Sequence, residues 1–268
     1  MLDLDQLKHD VLEIEEKLIE LESIHKDIAE TSNSIFHATR EVNNFDFIRF
    51  CYDDSYCPRS QEAFLEKNLA DYEKSYNQLW NSIEQMIISL ISSALSNIEE
   101  EIEKLNCTLN EITSNANNDS DIRTQCKVAK IQNDIEKLKE KHNILMNFNY
   151  KPQSNLNEIY SVVGKLYHLF VYDSSISSDS NMISNSNLSS LLYYISCQYR
   201  NTYINTYTLL RKRFFSNDIN AAISYKNKLI DLKVLSESGL FIMSLSEIRE
   251  LEDYYFKKSR EQKQNPEQ

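Results

Sequence analysis

At 268 residues, with 41 acidic against 29 basic side chains and a net charge of −12, the chain is acidic and long enough for one or two domains. It holds two glycines, Gly164 and Gly239, where about 7% of residues would be ordinary, too few for phosphate-cradling loops, dinucleotide fingerprints, nucleophile elbows or tight primed hairpins. That excludes most α/β enzymes and predicts an all-α chain, while the negative charge disfavours nucleic acid and anionic lipid as direct partners.

Leu4, Leu7, Val11, Ile14, Leu18 and Leu21 recur at steps of 3 and 4, predicting a first helix over 3–42 whose apolar seam lies against another helix. His25 takes the next seam place, ahead of Ile28 and Ile35. The opposite face carries Glu13, Glu15, Glu16, Lys17, Glu20, Glu22 and Lys26 and reads as solvated surface. Asn43 and Asn44 end the helix. Residues 45–57, FDFIRFCYDDSYC, crowd Phe, Ile and Tyr together and then turn at Asp53, Asp54 and Ser55. This stretch reads as an elbow whose aromatics cap the bundle. Because short aromatic hooks also dock partners, Phe45, Phe47, Phe50 and Tyr52 are contact candidates.

Pro58 suits the entrance of a long helix. Leu65, Leu69, Tyr72, Tyr76, Leu79, Ile83, Met86 and Leu90 alternate steps of 4 and 3. The pattern slips by one position and resumes at Ile91, Leu95, Ile98, Ile102, Leu105, Leu109 and Ile112. Such a stutter alters supercoiling locally without ending the helix. No Gly or Pro follows Pro58 in this run, so a rod of roughly 80 Å is allowed over 58–114 at about 1.5 Å per residue. Ser82, Glu84, Ser89, Ser92 and Ser93 break its apolar surface, unlike a membrane span. The polar stretch 114–121 ends it. A third helix follows over 121–147 on Val128, Ile131, Ile135, Leu138, His142 and Leu145, with Asp121 as its cap. Residues 1–150 are thus predicted as an antiparallel coiled-coil region.

From residue 155 the texture changes, and 151–260 reads as a smaller helical bundle. Leu156, Ile159, Tyr160, Val163, Leu166, Tyr167 and Phe170 form a stripe wider than a two-stranded seam. The Ser/Asp/Asn tract 173–187 reads as a loop that could take phosphate. A helix over 188–215 carries Tyr199, Tyr203 and Tyr207 and closes on Arg211, Lys212 and Arg213. That basic cluster suits a helix C-terminus and is a second partner-contact candidate. Asn217 or Asp218 caps a helix over 219–236, which Ser238 and Gly239 stop. A last helix covers 241–258, and 261–268 is a fraying, disordered tail.

Catalysis finds no foothold in the pattern. The five histidines, His9, His25, His37, His142 and His168, show no metal-binding helical spacing, and the carboxylates fall on solvated faces. The expectation is no enzyme, no cofactor and no metal site. The scattered, odd set Cys51, Cys57, Cys107, Cys126 and Cys197 fits reduced thiols in cytosol or nucleus, and the chain is expected to be cytoplasmic. The acidic, already periodic N-terminus reads as neither signal nor transit peptide.

Four segments, in order, carry a family likeness. They are 18–42, LIELESIHKDIAETSNSIFHATREV; 135–148; 191–207, with Tyr194, Cys197 and Arg200 at steps of three; and 238–258, SGLFIMSLSEIRELEDYYFKK. Together they resemble the third subunit of the conserved oligomeric Golgi complex, a vesicle-tethering assembly, although the central rod is longer than that family's corresponding region. The resemblance implies a non-catalytic subunit, peripheral at the Golgi, whose partners are other helical subunits and which meets membranes only indirectly through them. A cytoskeletal or chromosome-associated coiled-coil adaptor would share every periodic feature.

Overall fold

A seam that returns every 3 or 4 residues, free of Gly and Pro, offers no point at which a helix has to stop. In the computed structural model it does not stop. Helix α1 runs Leu4–Asn43 and α3 runs Pro58–Asn115, 58 residues without a break. Between them a six-residue helix, α2, covers Phe47–Tyr52. Then come α4 (Ile122–Met146), α5 (Leu156–Phe170), α6 (Asn185–Cys197), α7 (Ile219–Asp231) and α8 (Leu245–Gln264). The structure describes residues 4–53, 56–115, 122–148, 155–172, 183–197, 204 and 218–264. Among these residues no strand forms beyond a lone antiparallel bridge between Leu235 and Phe241. The chain is all-α.

Two compact units emerge, Glu16–Met86 and Met1–Glu15 with Ile87–Gln268, so α1 and α3 each contribute to both. In the first unit, α1 and α3 run antiparallel. Thr39 Oγ1 donates to Glu62 Oε1 at 2.6 Å, while His25 and Tyr76 face each other at 5.9 Å between ring centroids. As one helix descends the other climbs. Leu18, Leu21, Ala38 and Ile83 are buried, and the seam residues Leu65, Leu69, Tyr72, Tyr76 and Leu79 are half-buried.

In the second unit, Ile87, Leu90, Ala94 and Ile98 of α3 are buried. Ile87 and Ala94 lie beside the predicted seam, because a helix in a bundle buries a wider stripe than one in a pair. Helix α4 returns along α3, with His142 Nε2 3.0 Å from Glu99 Oε1. Asn155 caps α5, its side chain accepting from the Glu158 N–H at 3.1 Å. Helix α6 packs on α8, and Asn185 Nδ2 at the start of one donates to Gln262 Oε1 near the end of the other at 3.0 Å. Helix α7, capped by Asp218, buries every residue from Ala222 to Asn227.

Several expectations need revision. Helix α6 begins at Asn185, inside the stretch expected to be loop; Tyr199, Tyr203, Tyr207 and most of 173–187 lie outside the described residues. Helix α7 ends at Asp231, before the predicted 236, and Ser238–Gly239 is not its stop. Leu232 caps it, Lys233 turns left-handed at φ 57°, and the chain swings through Gly239 at φ 74°. This turn buries Val234 and Leu235, which a continuing helix would not.

Helix α8 starts at Leu245 rather than 241 because Ser244 and Glu247 form a capping box. The Ser244 N–H and hydroxyl donate to Glu247 Oε2 at 2.7 and 2.6 Å. It continues to Gln264, into the 261–268 stretch expected to be a disordered tail. Glu15, assigned above to the solvated face, is fully buried. The reason is a partner 211 residues away, Lys226.

Candidate functional site

The elbow between α1 and α3 is built around Tyr56, a residue that sequence reasoning passed over. Asp46 starts α2 by accepting the Arg49 N–H at 3.0 Å, and the Asp53 N–H closes it on Arg49 O at 2.9 Å. Tyr56 is buried. Its hydroxyl accepts the Asp46 N–H at 3.2 Å, its N–H donates to Asp53 O at 2.9 Å, and the Arg49 guanidinium sits 4.4 Å above its ring. Phe45 stacks on the same ring with centroids 5.8 Å apart and meets Phe50 at 5.4 Å. One tyrosine thus holds both ends of a six-residue helix.

This arrangement separates the four aromatic candidates into two pairs. Phe45 and Phe50 are about half covered, being part of the elbow's own packing. Phe47 and Tyr52 are 70% and 88% exposed. A concavity of about 360 Å³ is lined by Phe45 and Phe50 together with Val42, Cys57, Pro58 and Arg59. Phe47 and Tyr52 were named from the sequence, as aromatics outside any seam. Tyr56 had no such mark, because its role depends on a turn whose path the sequence does not announce.

Cys57 occupies the entry of α3, its carbonyl accepting the Gln61 N–H at 3.1 Å. Its Sγ lies 3.1 Å from Ser60 Oγ. The Ser60 hydroxyl first, and the Ser60 backbone N–H second, stabilise the thiolate and hold this exposed thiol below its ordinary pKa.

No protein-family model, curated protein or solved structure matches the chain.

Arg211, Lys212 and Arg213, the other candidate contact, lie outside the described residues. A second concavity, of about 500 Å³, belongs to the larger unit and is lined by Ile144, Lys165, His168, Leu169 and the 236–238 turn. His168 stacks on Tyr172 at 4.9 Å and its Nε2 is 3.7 Å from Glu237 Oε2. Lys165 Nζ lies over the Phe148 ring, 5.7 Å from its centroid. A nucleophile hydrogen-bonded to an oriented base, the arrangement covalent catalysis needs, is not assembled among these residues. Among the described residues, no group of three or more His, Cys, Asp or Glu converges as a metal site, and no helix is long and apolar enough to cross a membrane.

Proposed function

We propose that this chain is a non-catalytic helical scaffold that works by binding other helical proteins, with the elbow as a contact surface. The observation that supports this reading is the presentation of Phe47 and Tyr52. Both are large, both are almost bare, and both ride on a helix clamped by Asp46, Asp53 and Tyr56. Covering one such side chain is favourable by about 1.5–3 kcal/mol, and the clamp has already met part of the ordering cost that binding would otherwise carry. Aromatic anchors on a rigid support are the usual makings of an interface hot spot.

At a finer grain, we read the scaffold as a subunit of a vesicle-tethering complex at the Golgi. That reading rests on the four-segment resemblance alone; a cytoskeletal or kinetochore-associated adaptor is its rival. Co-purification from native lysate separates the two, with Golgi tethering subunits expected and microtubule or kinetochore proteins overturning it. Phe47→Ser/Tyr52→Ser should abolish capture of whichever partner is found while leaving the thermal midpoint in place. Undiminished capture would remove the elbow from the interface.

A further inference from the structure

The concavity between α4, α5 and the 236–238 turn carries more polar equipment than a crevice between helices needs. Its apolar lining comes from Leu169, which is buried, and from Ile144, a large side chain left 47% exposed. The turn is pressed hard against α5, for a methyl group on Gly164 would overlap the Ser238 carbonyl oxygen. That side of the cavity is therefore set before any ligand arrives, which spares part of the ordering cost of binding. The volume of about 500 Å³ falls within the range of about 300–1,000 Å³ usual for small-molecule sites.

The uncommitted polar groups on this lining are mostly donors. The Lys165 ammonium lies 5.7 Å from the centroid of the Phe148 ring and forms no ion pair among the described residues. Ser236 Oγ and Ser238 Oγ are 3.0 Å apart, and Ser236 Oγ also accepts the Leu240 N–H at 3.1 Å. One hydroxyl hydrogen is spent between the two serines and the other is left over. His168 Nε2 stands 3.7 Å from Glu237 Oε2, too far for a hydrogen bond. Its Nδ1 is buried and has no hydrogen-bond partner among the described residues. Glu237 is the one carboxylate on the lining, and its side chain is 80% exposed, with room to swing into solvent.

An anion is ordinarily repelled by the C-terminal end of a helix, and His168 and Leu169 lie in the last turn of α5. Here Lys141 Nζ already donates to Leu169 O at 3.1 Å, answering that end of the helix with positive charge. Lys165 can match a singly charged oxyanion; a dianion finds no second ammonium on the lining. We propose that this cavity binds a small carboxylic acid with an apolar body. Lys165, His168 Nε2 and the spare serine hydroxyl take the carboxylate, and the body covers Ile144 and Leu169. Glu237 holds the place beside the imidazole until the ligand's carboxylate displaces it, so the two compete for one donor.

Proton NMR on the full chain tests this with hexanoate as the probe, the His168 Cε1–H signal being assigned by its loss in His168→Gln. Hexanoate should shift that signal saturably, and hexylamine, of the same length but opposite charge, should leave it in place. Acetate, which lacks the apolar body, should bind about tenfold more weakly. Lys165→Met keeps the apolar stem without the charge and should weaken hexanoate binding about fivefold. Glu237→Gln removes the competitor and should tighten it about twofold. Both side chains are exposed, so neither variant should move the thermal midpoint. The site is overturned if hexanoate leaves the His168 signal unshifted, if hexylamine or acetate binds as well as hexanoate, if Lys165→Met binds like the wild type, or if Glu237→Gln fails to tighten binding.

Discussion

The chain's two glycines, 75 positions apart in sequence, serve one turn. Gly164 lies on α5 where a methyl group would overlap the Ser238 carbonyl oxygen, and Gly239, the next residue along that turn, sits at φ 74°. Gly164→Ala must push backbone against backbone and should cost about 1–3 kcal/mol, read as a lower midpoint in a urea melt. Gly239→Ala faces only the left-handed strain, about 1–2 kcal/mol on the same measurement. The residue scale also sets an order of reactivity among the thiols. All five are exposed, but Cys57 alone has the Ser60 hydroxyl and N–H beside it. Alkylation followed by mass spectrometry near neutral pH should label Cys57 ahead of Cys107 and Cys126, and Ser60→Ala should slow it.

Among the elements, α3 and α8 carry separate predictions. Ile83 is wholly buried, Leu105 half-buried, and Glu100 exposed with Lys104 at 2.8 Å. Ile83→Asp should therefore destabilise by about 3–4 kcal/mol, from a buried carboxylate and a lost apolar contact, and Leu105→Asp by less. Glu100→Ala should leave the melt where it is, since an exposed pair contributes little. Equal effects at all three sites would contradict the seam.

At the head of α8, the Ser244 hydroxyl and then its backbone N–H hold the Glu247 carboxyl below its usual range. The unfolded carboxyl titrates near about 4.3. The folded value is lower, so the cap contributes its stability above the unfolded value and loses it as pH falls through the folded one. Protection in the first turn of α8, taken relative to the intrinsic exchange rate at each pH, should fall between pH 6 and pH 3. Glu247→Gln, which keeps an acceptor but cannot titrate, should flatten that dependence.

For the molecule as a whole, the all-α architecture and the long unbroken rod were legible because period and composition agree over many turns; forty or fifty residues of consistent pattern outweigh any single propensity. Legibility faded where one residue decides. The stop of α7 was misplaced because Gly239 looked like a helix end, whereas the chain had already turned at Lys233. The aromatic elbow was recognisable as surplus hydrophobic surface, but not which of its rings face inward. Tyr56 chose that, by stacking Phe45 and leaving Phe47 and Tyr52 bare. At this scale the prediction is the capture assay, where Phe47→Ser/Tyr52→Ser loses the partner without losing the fold.

Local pattern by itself determined that this protein is made of helices and how long the largest is. Those properties follow from neighbours a few residues apart, and neighbours are written in order along the chain. Tertiary structure alone decided that residues 1–15 group with 87–268, that both glycines share one turn, and that Glu15, outwardly one more acid on a charged face, meets Lys226 in a dry core. Each of those depends on a partner dozens to hundreds of residues distant, and the periodicity of a single helix carries no record of what will be packed against it.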